Sequence, residues 1–343
     1  MGTTIQQALG LIQSGISINA DDAESVFTQI MQGEATDAQI GALLMGLSIR
    51  GETADIIAGA ARAMRCAAAR ISPASTGLLD TCGTGGDGAS TFNISTTVAL
   101  VVAACGVPVA KHGNRAISSK SGSADVLEAL GVRLDIPPAA VAECIDQVGI
   151  GFLFAPGHHP AMRHAAGPRR ELGMRSIFNL LGPLTNPAGA EYQVLGVYAR
   201  DKLELVADAL LQLGVQRALI VHGRDGLDEI TTTGITDAVW VEQGQPLRAF
   251  EIDPQAFGMH YAAAEELGGG DAAHNAAILK SILDGEQGAP RDIVLLNAAA
   301  ALWVAGRSEG IAAGLSLAAV GIDSGAVSKT LDQLIAFTQS NKA

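Results

Sequence analysis

The sequence predicts an α/β protein: a small N-terminal α-helical domain followed by a larger α/β domain on a mostly parallel sheet. Three observations predict it. The first ~70 residues carry only helical periodicity. A linker-like stretch follows, Ser72-Pro73-Ala74-Ser75-Thr76-Gly77. Beyond it, apolar strands alternate with helices.

Taken in order, Asn19 reads as a helix N-cap, with Asp21 and Asp22 in the first turn and Gly33 as the stop. Val26, Phe27, Ile30 and Met31 fall at helical spacing and should form the buried face. Thr36 and Gln39 form a capping-box pattern for the next helix. That helix puts Ile40, Leu43, Leu44 and Leu47 on one stripe and ends near Gly51. Residues 52–70 read as a further helix. In the second part, strands are expected at 78–80, 107–110, 152–154, 192–198 and 218–221. Helices are expected at 93–104, 124–130, 138–148 and 202–213. Residues 163–187 break this rhythm, being basic and then turn-rich.

Charge narrows the function. The 343 residues hold 22 Lys and Arg against 35 Asp and Glu, a net charge of −13. Residues 1–60 alone hold seven acids and one base, Arg50. A general nucleic-acid binder needs the opposite field, so no nucleic-acid partner is expected. A local cationic pocket can still take a small anion. The four cysteines form no C-x-x-C pair, which argues against a zinc knuckle or redox motif and for the cytoplasm. No basic n-region opens the chain, so no secretory signal is expected. The uncharged stretch around 88–110 holds Asn93, Gly106 and Pro108 among its Ser and Thr, apart from its ends; it reads as a buried helix and strand, and no membrane partner is expected.

The most informative stretch is Asp80-Thr81-Cys82-Gly83-Thr84-Gly85-Gly86-Asp87-Gly88, between a strand and a helix. Glycines let backbone N–H groups approach a ligand, and a helix N-terminus adds partial positive charge, so phosphate is the natural occupant. The alternative is a tight turn with no ligand. Gly83, Gly85 and Gly88 match G-x-G-x-x-G, but the later strand end is Lys111-His112 where a dinucleotide site wants an acid. No Gly-Lys-Ser/Thr follows, so a P-loop fails as well. Asp87 suits a ligand with both phosphates and hydroxyls, or one that brings a metal.

Three further constellations follow. Lys111-His112-Gly113-Asn114-Arg115, with Ser118, Ser119, Lys120, Ser121 and Ser123 after it, mixes cations, amide and hydroxyls as a sugar phosphate requires. Two such loops after strands of one sheet favour a shared crevice at the strand C-terminal ends. Asp228 and Glu229 follow the strand at 218–221 and suit Mg2+, which prefers carboxylate oxygens and keeps substrate phosphates. His158, His159 and His164 read as packing or surface histidines, since two are adjacent and acids are few. An arginine of the same run could recognise a carboxylate.

These residues together, in this order, resemble the anthranilate phosphoribosyltransferase family of tryptophan biosynthesis. The resemblance is carried by Gly83-Thr84-Gly85-Gly86-Asp87, Asn93-Ile94-Ser95-Thr96, Lys111-His112-Gly113-Asn114-Arg115, Phe178 through Pro187, and Asp228-Glu229. It runs from the N-terminal helices to the C-terminal region. Ser176, where threonine is common, is a conservative difference.

The resemblance implies a nucleoside-phosphorylase-like fold and a homodimer formed through the helical domain. It implies a helical domain over 1–72 with a returning segment at about 169–190, and an α/β catalytic domain over 77–168 and 191–343. By the same resemblance, phosphoribosyl diphosphate would be bound by Gly83, Gly86, Asp87, Thr91, Asn93, Ile94, Ser95 and Thr96. The run Lys111, His112, Gly113, Asn114, Arg115, Ala116, Ile117, Ser118 and Ser119, with Ser123, would complete that site. Anthranilate would be positioned by Gly83, Asn114 and Arg169, with His112 lining the approach. Mg2+ would be held by Ser95, Asp228 and Glu229. No covalent nucleophile or obligatory base is expected, because the barrier lies in breaking the bond between C1 and diphosphate. The alternatives are a pyrimidine nucleoside phosphorylase, a transferase for another aromatic amine, and a phosphate-binding module without turnover.

Overall fold

The computed structural model describes residues 2–116 and 120–341. Four helices open the chain: α1 (Ile5–Gln13), α2 (Ala20–Gln32), α3 (Asp37–Arg50) and α4 (Ala54–Ala67). Their ends follow local chemistry. The Asn19 side chain accepts from the Asp22 N–H, and Gly33 stops α2 in the left-handed region at φ 78°. Thr36 and Gln39 cap α3 reciprocally. The expected stripes are buried: Val26, Phe27 and Ile30 from α2, and Ile40, Leu43, Leu44 and Leu47 from α3.

The second part alternates. β1 (Leu79–Gly83), α5 (Ile94–Ala104), β2 (Val109–Gly113), α6 (Ser123–Ala129), α7 (Pro138–Val148) and β3 (Ile150–Phe154) come first. Three helices break the rhythm: α8 (Ala155–His158), α9 (Arg163–Leu172) and α10 (Ile177–Leu184). β4 (Tyr192–Gly196), α11 (Leu203–Gln212), β5 (Arg217–Gly223), β6 (Thr236–Glu242) and β7 (Arg248–Ile252) complete the sheet. Four helices follow: α12 (Ala272–Leu283), α13 (Ala289–Val304), α14 (Ile311–Asp323) and α15 (Ala326–Ser340).

The seven strands run in the order β3-β2-β1-β4-β5-β6-β7. The first five are parallel; β6 and β7 add on antiparallel. Period-2 alternation gives the sheet two buried faces. Leu219 and Val221 of β5 join the core under α5 and α12–α15, while Ala218 and Ile220 join the core shared with α1–α4 and α9–α11. α9 packs on α2 and α3, and α10 on α3 and α4. No single helix among the described residues is long and apolar enough to cross a membrane.

Three strands run on past the ends read from the sequence. β1 runs on from Asp80 to Gly83, β2 from Ala110 to Gly113, and β5 from Val221 to Gly223. The apolar signal stops where side chains turn polar, but the ladder continues: Gly83 pairs with Gly196 and Gly113 with Phe154. Lys111 and His112 are therefore buried strand residues, not loop residues. β4 is shorter than expected and stops at Gly196.

Candidate active site

The strand order reverses between β1 and β4. In such sheets the ends of the two diverging strands leave a crevice for a ligand. Here Thr84 N–H, just past β1, donates to the Gly196 carbonyl at 2.9 Å, and Tyr198 N–H donates to Thr84 Oγ1 at 3.0 Å. The turn bearing Asp228 and Glu229 comes down on the same point. A Cβ at Gly83 would lie 2.3 Å from Asp228 Oδ2, and one at Gly196 only 1.5 Å from the Asp228 carbonyl oxygen. Both positions must be bare for the acidic turn to seat.

The glycine loop continues with Gly85, Gly86 and Gly88 at φ 68°, 78° and 77°, a conformation that disfavours side chains. Gly85 N–H donates to Asp228 Oδ2 at 2.7 Å. Arg175 donates to the Gly86 carbonyl and lies 4.5 Å over the Tyr198 ring. Thr91 bridges to Gly268 in an isolated antiparallel pair. α5 then starts with no side chain capping its N-terminus. The Asn93 side chain is engaged within the protein: it accepts from Asn275 Nδ2 at 2.9 Å and donates to the Ser121 carbonyl at 3.2 Å. The buried Thr96 hydroxyl has no protein partner.

Beneath the loop lies a charged cluster. Lys111, 3% exposed, donates to the Thr81 carbonyl and to Ser95 Oγ at 3.4 Å. Burial pushes the Glu229 carboxyl up to about 8, with Asp228 adding to the rise and Lys111 and Ser95 opposing it. Burial, then the neighbouring Asp87, pushes Asp228 up to about 7. The buried Asp228 and the half-buried Glu229 and Asp87, with a hydroxyl beside them, form a hard-oxygen donor set of the kind Mg2+ takes. Among the described residues no three His, Cys, Asp or Glu side chains form a closed cage. Asp80, fully buried, accepts from His112 N–H at 3.2 Å and from Asn186 Nδ2 at 2.8 Å. Burial pushes its carboxyl up as well.

Beside this cluster opens a cavity of about 530 Å³ between the helical bundle and the strand ends. Gly83, His112, Asn114 and Arg169 all line it, together with His159, Phe178 and Asn179. Arg169 sits 5.0 Å over the Phe178 ring, and burial lowers its pKa. Its guanidinium makes no hydrogen bond or ion pair among the described residues, which leaves it free for an anion. His158 Nδ1 donates to the Ala69 carbonyl at 2.9 Å, and the His159 ring lies tilted beside that of His112, so both histidines are buried packing residues.

The other sequence-predicted residues divide. Gly113 and Ser123 meet: a Cβ on Gly113 would lie 2.2 Å from Ser123 Oγ. Asn114 uses its backbone carbonyl to accept from Ser123 Oγ at 3.3 Å. Ala116 N–H donates to Asp125 at 3.0 Å. Arg115 is turned from the crevice onto α6, paired with Asp125 and Glu128 and 5.5 Å over Phe154. Ile94 is buried in the core. Ile117, Ser118 and Ser119 lie outside the described residues. Asp80, Asn186 and the α10 residues lie in stretches the sequence singles out but without a role there, and Asn275 is not singled out at all, because no local pattern shows which distant partners they meet.

Family comparison agrees with this geometry over nearly the whole chain. Residues 6–68 match the helical bundle domain of a glycosyl transferase family, and residues 75–328 match its a/b domain. The anthranilate phosphoribosyltransferase of Azorhizobium caulinodans is 52% identical over 332 residues, 97% of this chain and 96% of that protein. Among solved structures, the anthranilate phosphoribosyltransferase of Thermus thermophilus is 45% identical, with a TM-score of 0.92 and coverage of 97% of this chain and 99% of that one. The Saccharomyces cerevisiae enzyme in complex with PRPP and Mg is 26% identical, with a TM-score of 0.89 and 98% coverage of each chain. On its sequence, its fold and the reversal-point crevice alike, the chain belongs to the anthranilate phosphoribosyltransferase family.

Proposed function

We propose that the chain transfers the phosphoribosyl group of 5-phosphoribosyl 1-diphosphate to the amine of anthranilate, releasing diphosphate. One observation carries the reading. A single cavity holds a free cationic side chain, Arg169, and adjoins both the glycine loop and the Asp228–Glu229 pair. A carboxylate-bearing aromatic fits the cavity, and an Mg2+–diphosphate fits beside it.

Each group has a task. Gly83, Gly86, Asp87 and Thr91 would hold the diphosphate end, with the uncapped start of α5 from Asn93 to Thr96 supplying N–H groups. Lys111 through Ser119, with Ser123, would hold the ribose and its phosphate. Arg115 reaches them only after leaving Asp125 and Glu128. Asp228, Glu229 and Ser95 would hold Mg2+, which when bound offsets charge on the leaving diphosphate. Gly83, Asn114 and Arg169 would orient anthranilate with its amine toward C1. His112 and His159 are held neutral by burial, so neither offers a proton to the leaving group at neutral pH. Catalysis then rests on positioning and on stabilising the departing anion, with no covalent intermediate.

The same proposal divides the chain into a helical domain over 1–72 with a returning segment at about 169–190, and a catalytic domain over 77–168 and 191–343. The packing of α9 and α10 on α2, α3 and α4 supports it. A homodimer through the helical domain is supported by apolar side chains on its outside: Ile16, Met45 and Ile49, at 55%, 39% and 74% exposure. Sedimentation velocity should give a dimer, shifted toward monomer by Ile49→Asp.

Anthranilate fluorescence tests the activity. With phosphoribosyl diphosphate and Mg2+ the signal should fall, and without Mg2+ it should hold. Arg169→Ala should raise the KM for anthranilate by about 10- to 100-fold, the worth of a charged hydrogen bond. An unchanged signal in folded protein sinks the anthranilate assignment and leaves another aromatic amine. Pyrimidine phosphorolysis is disfavoured, since it has no use for the Asp228–Glu229 pair.

A further inference from the structure

We infer that Asn297 on α13 is a positioning residue for the Asp228–Glu229 pair; the inference rests on the metal-binding reading of that pair.

Asn297 is 1% exposed and lies in an otherwise apolar stretch, between Leu295 and Leu296 on one side and Ala298 and Ala299 on the other. An amide buried there is costly unless its hydrogen bonds are made. They are made to one place. Asn297 Oδ1 accepts from the Ile230 N–H at 3.0 Å, and Nδ2 donates to the Ile230 carbonyl at 2.7 Å. This two-point grip is what one strand residue gives another. The second Nδ2 hydrogen goes to the Ile293 carbonyl at 2.8 Å, one helical turn back, which fixes the rotamer.

Ile230 follows Glu229 directly and is fully buried. At the other end of the turn, Asp225 accepts from Leu227 N–H at 3.1 Å and from Thr231 Oγ1 at 2.6 Å. Asp228 and Glu229 thus stand on a short stretch tied on both sides, pressed against the bare Gly83 and Gly196. α13 touches neither substrate loop through this side chain. Its amide acts only on the backbone that aims the carboxylates, as partners behind a metal ligand do.

The full-length Asn297→Leu variant removes both bonds to Ile230 at similar volume. Its apparent Mg2+ activation constant should rise about 10- to 100-fold, the usual effect of losing a group behind a metal ligand. The KM for anthranilate should stay within about twofold, since binding outside the metal site is untouched. Mn2+ titrated without anthranilate should bind correspondingly more weakly, a readout that needs no turnover. Leu296→Val, a core change on the same helix, should lower Tm and leave the Mg2+ constant in place. Asn297→Asp is the second variant: it keeps the acceptor for Ile230 N–H, loses the donor to its carbonyl, and should show the same rise.

A folded variant of either kind with the parent's Mg2+ and Mn2+ constants overturns the inference. Loss of the fold in both assigns Asn297 to stability alone and overturns it too. If Asp228→Asn and Glu229→Gln themselves leave the metal constants unchanged, the metal reading is what fails. The positioning claim is then decided by hydrogen exchange at the Ile230 amide, where faster exchange in Asn297→Leu supports it and unchanged exchange overturns it.

Discussion

His112 and His159 are 8% and 7% exposed, with their rings 5.1 Å apart. Burial pushes His112 down to about 3 and His159 down to about 4, with neighbouring histidines adding to each shift. Both Nε2 atoms face no protein partner, while each ring also bonds to backbone, at Gly182 and Thr185. A neutral imidazole that must charge on unfolding makes stability depend on pH. Between about 4 and the ordinary value near 6.5, the unfolded chain binds more protons than the folded one, so stability rises with pH. It is fully present above about 6.5 and is lost as pH falls toward 4. Asp228 and Glu229, pushed up by burial, act with the opposite sign over the same window, so the histidine effect is read as the difference in urea stability between the parent and His159→Asn, which should grow as pH rises from about 4 to 6.5. An equal slope in the variant would assign the acid sensitivity elsewhere. The His158-His159 run was legible as packing or surface histidines because adjacent histidines lack the i, i+4 geometry of a helical metal pair and acids nearby are few. That His112 joins them was not, since its neighbour comes from a different strand crossover.

β1, β4 and the acidic turn meet so closely that two glycines become structural requirements. At Gly196 an added Cβ would stand 1.5 Å from a backbone oxygen of Asp228, which no rotamer change relieves. Gly196→Ala should therefore push the whole turn outward. A misplacement of about 1 Å at reacting groups costs on the order of 100-fold in rate, so kcat/KM should fall by at least that much. Circular dichroism should retain the fold, and Gly234→Ala, where nothing lies within 4 Å, should leave activity in place. Activity close to the parent's in Gly196→Ala would mean that the turn is not held against β4. At this scale the sequence was readable where the signal is local: the capping pairs Asn19 and Thr36-Gln39, the glycine loop between strand and helix, and adjacent acids after β5. It was silent where the reason is a distant partner. Gly196 reads as an ordinary residue inside the strand expected at 192–198, and β6, β7 and the α13 helix with Asn297 are not among the expected elements.

The helical bundle and one face of the sheet share a single hydrophobic cluster. Phe27, Ile57 and Leu47 belong to it, and so do Leu180 of α10, Leu195 of β4, Ile220 of β5 and Leu210 of α11. Polar ties cross the same boundary: Arg65 Nε donates to the Leu184 carbonyl at 2.7 Å, and Lys202 pairs with Glu52 at 3.5 Å. A change of texture near residue 72 was legible, and a family resemblance supplied the returning segment; the continuity of the core across that change was not. It arises because α4 presents apolar side chains toward both α2 and α11. Chains of this length commonly unfold in stages, domain by domain. Here exposing the bundle alone would uncover the apolar face of the sheet, so neither part has an inexpensive way to melt first. Calorimetry at fixed protein concentration, without ligands, should give one transition with calorimetric and van't Hoff enthalpies in a ratio of about 1. Arg65→Ala should lower its midpoint without splitting it, because the shared apolar cluster and not the polar ties couples the parts. Two resolved transitions in the parent would show that the bundle opens on its own, and would make the cavity between bundle and sheet a site that closes by local folding.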